Sequence, residues 1–223
     1  MNRPHEMAQI KAELAAHADP EPRRVILVLA ANPLDTERLR LDAEVRAIDE
    51  QLRQGEGDDG FVLHQQWAVR SGDLIDALLR HRPAILHFAG HGAADGSLIV
   101  EESNGRATAL PPDALPALLA AAPGVRCVVL NACWSDVQAA ALARHVDCVV
   151  GMAQAVADHA AGFYRGLAAG EAVATAVALG RAQMLAAAGG DDDQDDEAAA
   201  MPQMRVRDGV VATQLFLAPR PAR

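Results

Sequence analysis

The chain has 223 residues and a formal net charge of −10, with 51% hydrophobic but only 3% aromatic residues. That length supports one α/β domain with a sizeable core, and the acidic balance argues against a nucleic-acid backbone as main partner, which would want a basic face. No signal-peptide-like leader and no apolar run of about 18 residues stands in the sequence, so the expectation is a soluble, cytoplasmic protein that engages no membrane.

Residues 1–22 hold an Ala-rich stretch closed by Asp19-Pro20-Glu21-Pro22, which predicts a short N-terminal helix or arm. Arg24 to Ala31 is the first strong strand, ended by Asn32-Pro33. Thr36 is a candidate cap for a helix over 37–53, with Leu41, Val45, Ile48 and Leu52 at helical spacing. After the polar break at 55–60, residues 61–68 predict a second strand, at an edge. A helix over 73–81, opened by Ser71, turns Leu74, Ala77 and Leu78 inward and stops at Pro83. The apolar run from Ala84 then leads to His91. Ser97 to Glu102 and Arg106 to Leu110, around Asn104-Gly105, predict a small hairpin.

Pro111-Pro112 start a helix through Ala121, and Arg126 to Asn131 is a strand leading to Cys133. Ser135 or Asp136 caps a helix to about His145, Val146 to Met152 is a strand, and helices cover 160–167 and 172–187. The like-charge run Gly189 to Glu197 predicts a disordered surface loop over 189–200, with a maturation loop as the run's functional alternative. A last strand is expected within Met204 to Leu217, over V-V-A-T-Q-L-F-L. Strands alternating with helices indicate an α/β fold with a mostly parallel sheet, in one domain over 23–218.

Two short apolar runs carry the chemical interest: A-I-L-H-F-A-G-H-G, ending at Gly92, and R-C-V-V-L-N-A-C-W-S, ending at Ser135. Such runs predict strands buried on both faces, and ligands in open α/β sheets bind outside the carboxyl ends of the strands. If the two strands are neighbours, His91 and Cys133 face each other there. A thiol beside an imidazole is a nucleophile with its base. Gly90 and Gly92 would let the backbone turn, and the amides of Gly92 and Cys133 would point at a developing oxyanion. A backbone carbonyl would suffice to orient the ring. From spacing alone, Cys133 as packing and His91 as an ordinary loop residue stays open beside the dyad. Cys127 and Cys148 read as small core hydrophobes, and the odd, irregular cysteine set makes no disulfide framework.

H-F-A-G-H-G followed by V-V-L-N-A-C-W-S resembles the CHAT-type branch of the caspase-like cysteine peptidases. So do the opening I-L-V-L-A-A-N-P-x-x-T and the downstream V-V-G-M-A-Q-A-V-A-D-H-A-A and F-Y-R-G-L-A-A-G, and the likeness covers about 24–217. The resemblance implies a caspase-hemoglobinase-like three-layer α/β/α fold, with His91 as general base and Cys133 as nucleophile. It implies hydrolysis of peptide bonds in a protein or peptide substrate, with no metal or organic cofactor. It also implies a bacterial signalling or defence module, activated by a sensor or partner protein. Asn131 stands where metacaspase-like enzymes carry an Asp that helps bind a basic P1 side chain, and Ala89 where a Ser is common. Asp136 and Asp158 are the remaining acidic candidates for substrate binding, each with a helix cap as its alternative.

Three other readings compete. His87 and His91 at four-residue spacing suggest a metal pair, but His87 fits better as a buried strand histidine with a hydrogen-bonded ring. The turn after the first strand carries no G-x-G-x-x-G, which excludes a dinucleotide site of that type. A catalytically silent scaffold or protein-interaction module on the same fold is the non-enzyme alternative.

Overall fold

Four strands too apolar to face water on either side set the architecture. In the computed structural model, residues 24–54, 60–122, 124–132, 136–152, 157–187 and 202–218 are described. The expected N-terminal helix, the break after residue 54 and the acidic run lie outside them.

The chain order is β1 (Arg24–Ala30), α1 (Leu41–Gln54), β2 (Phe61–Trp67), α2 (Asp73–His81), β3 (Ile85–Ala89), β4 (Leu98–Glu101) and β5 (Ala107–Leu110). It continues through α3 (Ala114–Ala121), β6 (Cys127–Asn131), α4 (Asp136–Leu142), β7 (Cys148–Met152), α5 (Ala157–Ala168), α6 (Val173–Ala187) and β8 (Gln203–Val206). The main sheet runs β2-β1-β3-β6-β7-β8, parallel except for β8, while β4 and β5 form a separate antiparallel hairpin. β2 lies at the edge, as its mixed pattern predicts.

Alternation along the strands builds two cores. Leu27, Leu29, Leu86, Phe88, Val128 and Leu130 pack against α2, α3 and α4. On the other face Ile26, Ile85, Cys127, Val129, Cys148 and Val150 pack against α5 and α6, while Val28, Ala30 and Ala89 meet Leu41 and Val45 of α1. Each fully buried Leu, Ile or Val contributes about 1.5–3 kcal/mol relative to an exposed one. The result is the three-layer α/β/α sandwich. On its α5–α6 side the helices approach so closely that a Cβ on Gly166 would sit 2.7 Å from the Ala176 Cα. That contact accounts for the glycine in F-Y-R-G-L.

Three expected elements differ. The first helix begins at Leu41 and not at residue 37; Thr36 donates its hydroxyl and its N–H back to the Pro33 carbonyl, making a turn instead of a cap. The α2 helix is entered at Gly72, not capped by Ser71; Asp73 accepts from the Arg70 N–H instead. V-V-A-T-Q-L-F-L is not a strand. β8 takes the earlier Gln203–Val206, and the chain then passes a 3-10 turn (Ala212–Gln214) that drops Leu215 and Leu217 into the core beside α6. The Val173 N–H donates to the Leu215 carbonyl and holds that return.

Candidate active site

The sheet order reverses between β1 and β3: the chain leaves β1 toward β2 on one side and β3 toward β6 on the other. At such a switch point the connecting loops diverge and leave a crevice outside the carboxyl ends. His91 follows β3 at that edge.

β3 and β6 are adjacent and parallel, with Ile85 opposite Cys127 and Ala89 opposite Asn131. The pairing continues one step further, since the Gly90 N–H donates to the Asn131 carbonyl at 3.2 Å. In sequence, His91 and Cys133 each stand two residues beyond this register pair. Cys133 itself lies outside the described residues. Gly90 is required by space: a Cβ there would stand 2.8 Å from the Ala31 carbonyl oxygen and against the Phe88 ring. Its φ is not positive, so close approach explains this glycine rather than the sharp turn expected of it.

The His91 ring is half-buried, and its Nε2 lies 2.7 Å from the main-chain oxygen of Glu37, in the loop between β1 and α1. A carbonyl only accepts, so Nε2 carries the hydrogen, and in the neutral ring Nδ1 is the free basic nitrogen. The main chain of His91 is also fixed, for its carbonyl accepts from Ile99 N–H across the bridge pairing Gly92 with Leu98. Both bonds of that bridge use the neighbours of Gly92, which leaves the Gly92 N–H without a backbone acceptor among the described residues.

Asn131 ends β6 on the α1–α5 face with 1% of its surface exposed, and among the described residues neither its Oδ1 nor its Nδ2 has a hydrogen-bond partner. An orphaned buried amide costs about 1–3 kcal/mol per unpaired group, and native proteins keep few of them. Asp136 opens α4 and Asp158 lies in the first turn of α5, both by backbone alone; their side chains are outside the described residues. The helix after Cys133 has seven residues and stops at Leu142, short of His145, so its macrodipole is weaker than a helix over the full expected length would supply.

The other sulfur and histidine candidates are accounted for. Cys127 and Cys148 are register partners, fully buried and free. The hydrogen bond with Cys148, followed by burial, holds the Cys127 thiol well above its ordinary pKa, so it stays protonated and unreactive. His87 is wholly buried within β3, with Nδ1 2.8 Å from the Tyr164 hydroxyl and Nε2 2.9 Å from Glu44 Oε1. Burial raises the Tyr164 pKa far above its usual value. Among the described residues no group of three or more His, Cys, Asp or Glu is placed to hold a metal ion.

Sequence reasoning anticipated a carbonyl behind His91 but had no means of finding Glu37, whose contribution is main chain. Glu44 was discoverable: it interrupts the inward stripe of Leu41, Val45 and Ile48, and a carboxylate there asks for a buried partner.

This mostly parallel sheet between two helical layers has the caspase-like fold. Caspase-1 from Spodoptera frugiperda aligns over 89% of this chain and 92% of its own, with 11% identity and a TM-score of 0.57. Pro-sf-caspase-1 aligns over 85% and 96%, with 11% identity and a TM-score of 0.52. A secreted C11 cysteine protease from Bacteroides thetaiotaomicron, in complex with an irreversible peptide inhibitor, is also similar, with 13% identity, a TM-score of 0.47 and 65% of this chain covered. This chain spans 52% of that protein's length. No curated protein matches the chain. The CHAT domain family model matches residues 8–203, and the chain belongs to the CHAT domain family. Among the described residues no helix is long and apolar enough to cross a membrane.

Proposed function

We propose that this chain is a cysteine endopeptidase in which His91 and Cys133 form the catalytic dyad. The observation that carries the reading is the His91 ring, tied through Nε2 to the Glu37 carbonyl with Nδ1 left free, on the strand next to the one that leads to Cys133. In the reaction Nδ1 takes the Cys133 proton as Sγ attacks the scissile carbonyl carbon. The Gly92 and Cys133 amides receive the oxyanion; one such donor is worth roughly 10²–10³ in rate. As the C–N bond breaks, the imidazolium returns the proton to the leaving amine. Water, deprotonated by the same nitrogen, then cleaves the thioester and releases the acid.

Asn131, Asp136 and Asp158 line the substrate side of this reading. Asn131 is buried and uncharged, so it supplies no counter-charge for a cationic P1 side chain. The protein would act in the bacterial cytoplasm, as part of a signalling or defence module, and be switched on by a partner protein.

Intact-mass analysis after exposure to peptidyl acyloxymethyl ketones with Gln, Arg, Lys, Asp or Leu at P1 tests the proposal. A single adduct on Cys133, absent from Cys133→Ala and His91→Ala and no stronger for Arg or Lys than for the neutral side chains, is expected. Labelling indifferent to His91, or falling on Cys127 or Cys148, would overturn the dyad. No labelling in the presence of any partner would favour the scaffold reading.

A further inference from the structure

The bond from His91 to a main-chain oxygen is only as well defined as the loop that carries the oxygen. Glu37 belongs to the stretch between β1 and α1, which has no regular secondary structure to fix it. What holds it is the Asn32 side chain. Asn32 Nδ2 donates to the Leu39 carbonyl at 3.0 Å, and Asn32 Oδ1 accepts from the Leu39 N–H at 3.2 Å. A primary amide is the one side-chain group that satisfies a donor and an acceptor of the same residue in one plane. Asn32 thus closes the loop two residues beyond Glu37.

The base of this clasp is itself anchored. The Asn32 N–H donates to Glu101 Oε1 at 2.9 Å, at the end of β4. The far side of the loop is fastened to the same hairpin: Leu34 N–H donates to the Gly105 carbonyl at 2.9 Å, and Ala107 N–H donates to Asp35 Oδ1 at 2.7 Å. The hairpin in turn holds the His91 main chain through the Ile99 N–H. Ring, loop, hairpin and histidine backbone form one closed circuit of hydrogen bonds.

We infer that Asn32, seated on Glu101, is a positioning residue for His91: its bidentate clasp on Leu39 holds the Glu37 carbonyl where it accepts the Nε2 proton, which leaves Nδ1 as the base. Asn32 does not touch the reacting atoms and acts through the loop. The inference rests on the dyad reading for its kinetic consequence, but the clasp and its effect on the ring stand apart from any activity.

The test is Asn32→Ala in the full chain, with Asn32→Asp beside it. The Asp variant keeps the acceptor for Leu39 N–H but sets an anionic oxygen against the Leu39 carbonyl. In the wild type, 15N-edited NMR should show a His91 Nε2-bound proton protected from exchange. That proton should be lost to exchange in Asn32→Ala and weakened in Asn32→Asp. For cleavage of a reactive peptide, kcat should fall by roughly 10–100-fold with KM held within about twofold, since a displaced catalytic group can cost about 10² in rate. The alkylation-rate profile of Cys133 against pH should shift upward, because an imidazolium without its acceptor stabilises thiolate less well.

A protected Nε2 proton in Asn32→Ala overturns the clasp. So does a lost proton with kcat and the alkylation profile both unchanged in an active enzyme. If Asn32→Ala does not fold, the isosteric Asp variant carries the same readouts. A wild type that cleaves nothing, or labels without His91, sinks the dyad and leaves the NMR result to judge the clasp. A His91-dependent wild type with indifferent Asn32 variants sinks the clasp alone.

Discussion

His87 and His91 stand four residues apart on one run of chain, and the two ends of that run give the same side chain opposite uses. Within β3, His87 is sealed among Glu44 and Tyr164, both ring nitrogens engaged and no surface exposed. Beyond the strand, His91 is tied through Nε2, and among the described residues its other nitrogen has no hydrogen bond. A fully engaged ring joins α1 and α5 to the sheet and has nothing left for chemistry. A half-engaged ring has its tautomer set and its second nitrogen available. Strand interior and strand end therefore predict different responses to the same substitution.

The largest effect separates them by kind. His91→Ala should reduce peptide cleavage by roughly 10⁴-fold, the upper range for a general base, while urea denaturation finds stability within about 0.5 kcal/mol of wild type. His87→Leu should do the reverse in kind. It strips the partner from the buried Glu44 carboxyl and from the Tyr164 hydroxyl, which costs about 1–3 kcal/mol for each buried polar group left unpaired. The same denaturation experiment checks it, and an unchanged midpoint would mean that Glu44 finds water or another donor.

A finer cut is Tyr164→Phe, which removes the hydroxyl and leaves the ring packed edge-on against Phe163. The expected loss is about 1 kcal/mol, one buried hydrogen bond. Combined with His87→Leu, the Tyr164 change should then cost much less than alone, since its partner is already gone. Additive losses would show that the hydroxyl and the imidazole do not act together.

The contrast also explains how much was legible in the sequence. β3 and β6 were readable as buried strands because every residue from Ile85 to Ala89 and from Cys127 to Asn131 is inside, and unbroken apolar runs have few other uses, but only the sheet register makes them neighbours. His87 was readable as core by the same logic. The β4–β5 hairpin followed from Asn104-Gly105, and the α2 range from its apolar spacing. The loop before α1 was not readable: local propensity allows a helix from residue 37, and Thr36 has the chemistry of a cap. What decides otherwise is the Asn32 amide, which meets Leu39 seven residues away and competes for the groups a helix would use. The final segment was misread because β-branched residues at Val210 and Val211 suit a strand, whereas β7 was already paired with Gln203–Val206. Cys133, Asp136 and Asp158 enter the proposal on sequence alone.

The smallest effect concerns the hairpin that serves the open histidine. The Ala107 N–H, with Arg106 as a lesser contributor, lowers the Asp35 carboxyl pKa below its ordinary value. A carboxyl whose folded pKa lies below its unfolded one stabilises the fold above the unfolded value, and that contribution is lost as pH falls through the folded pKa. The window is therefore acidic, at and below the ordinary aspartate range, and the contact is intact at neutral pH. Because Asp35 is solvent-exposed, screening keeps the consequence local. Hydrogen exchange at the Ala107 amide should quicken on acidification, beyond the intrinsic pH dependence, in the wild type. In Asp35→Asn, which keeps an acceptor oxygen but cannot titrate, the corrected exchange should be flat across the same range. His91 should answer in the same direction, with its Nε2 proton less protected in acid only where Asp35 titrates, because the loop that carries Glu37 is fastened to this hairpin. A flat wild-type profile would disconnect the hairpin from the loop and leave the Asn32 clasp to hold the open histidine alone.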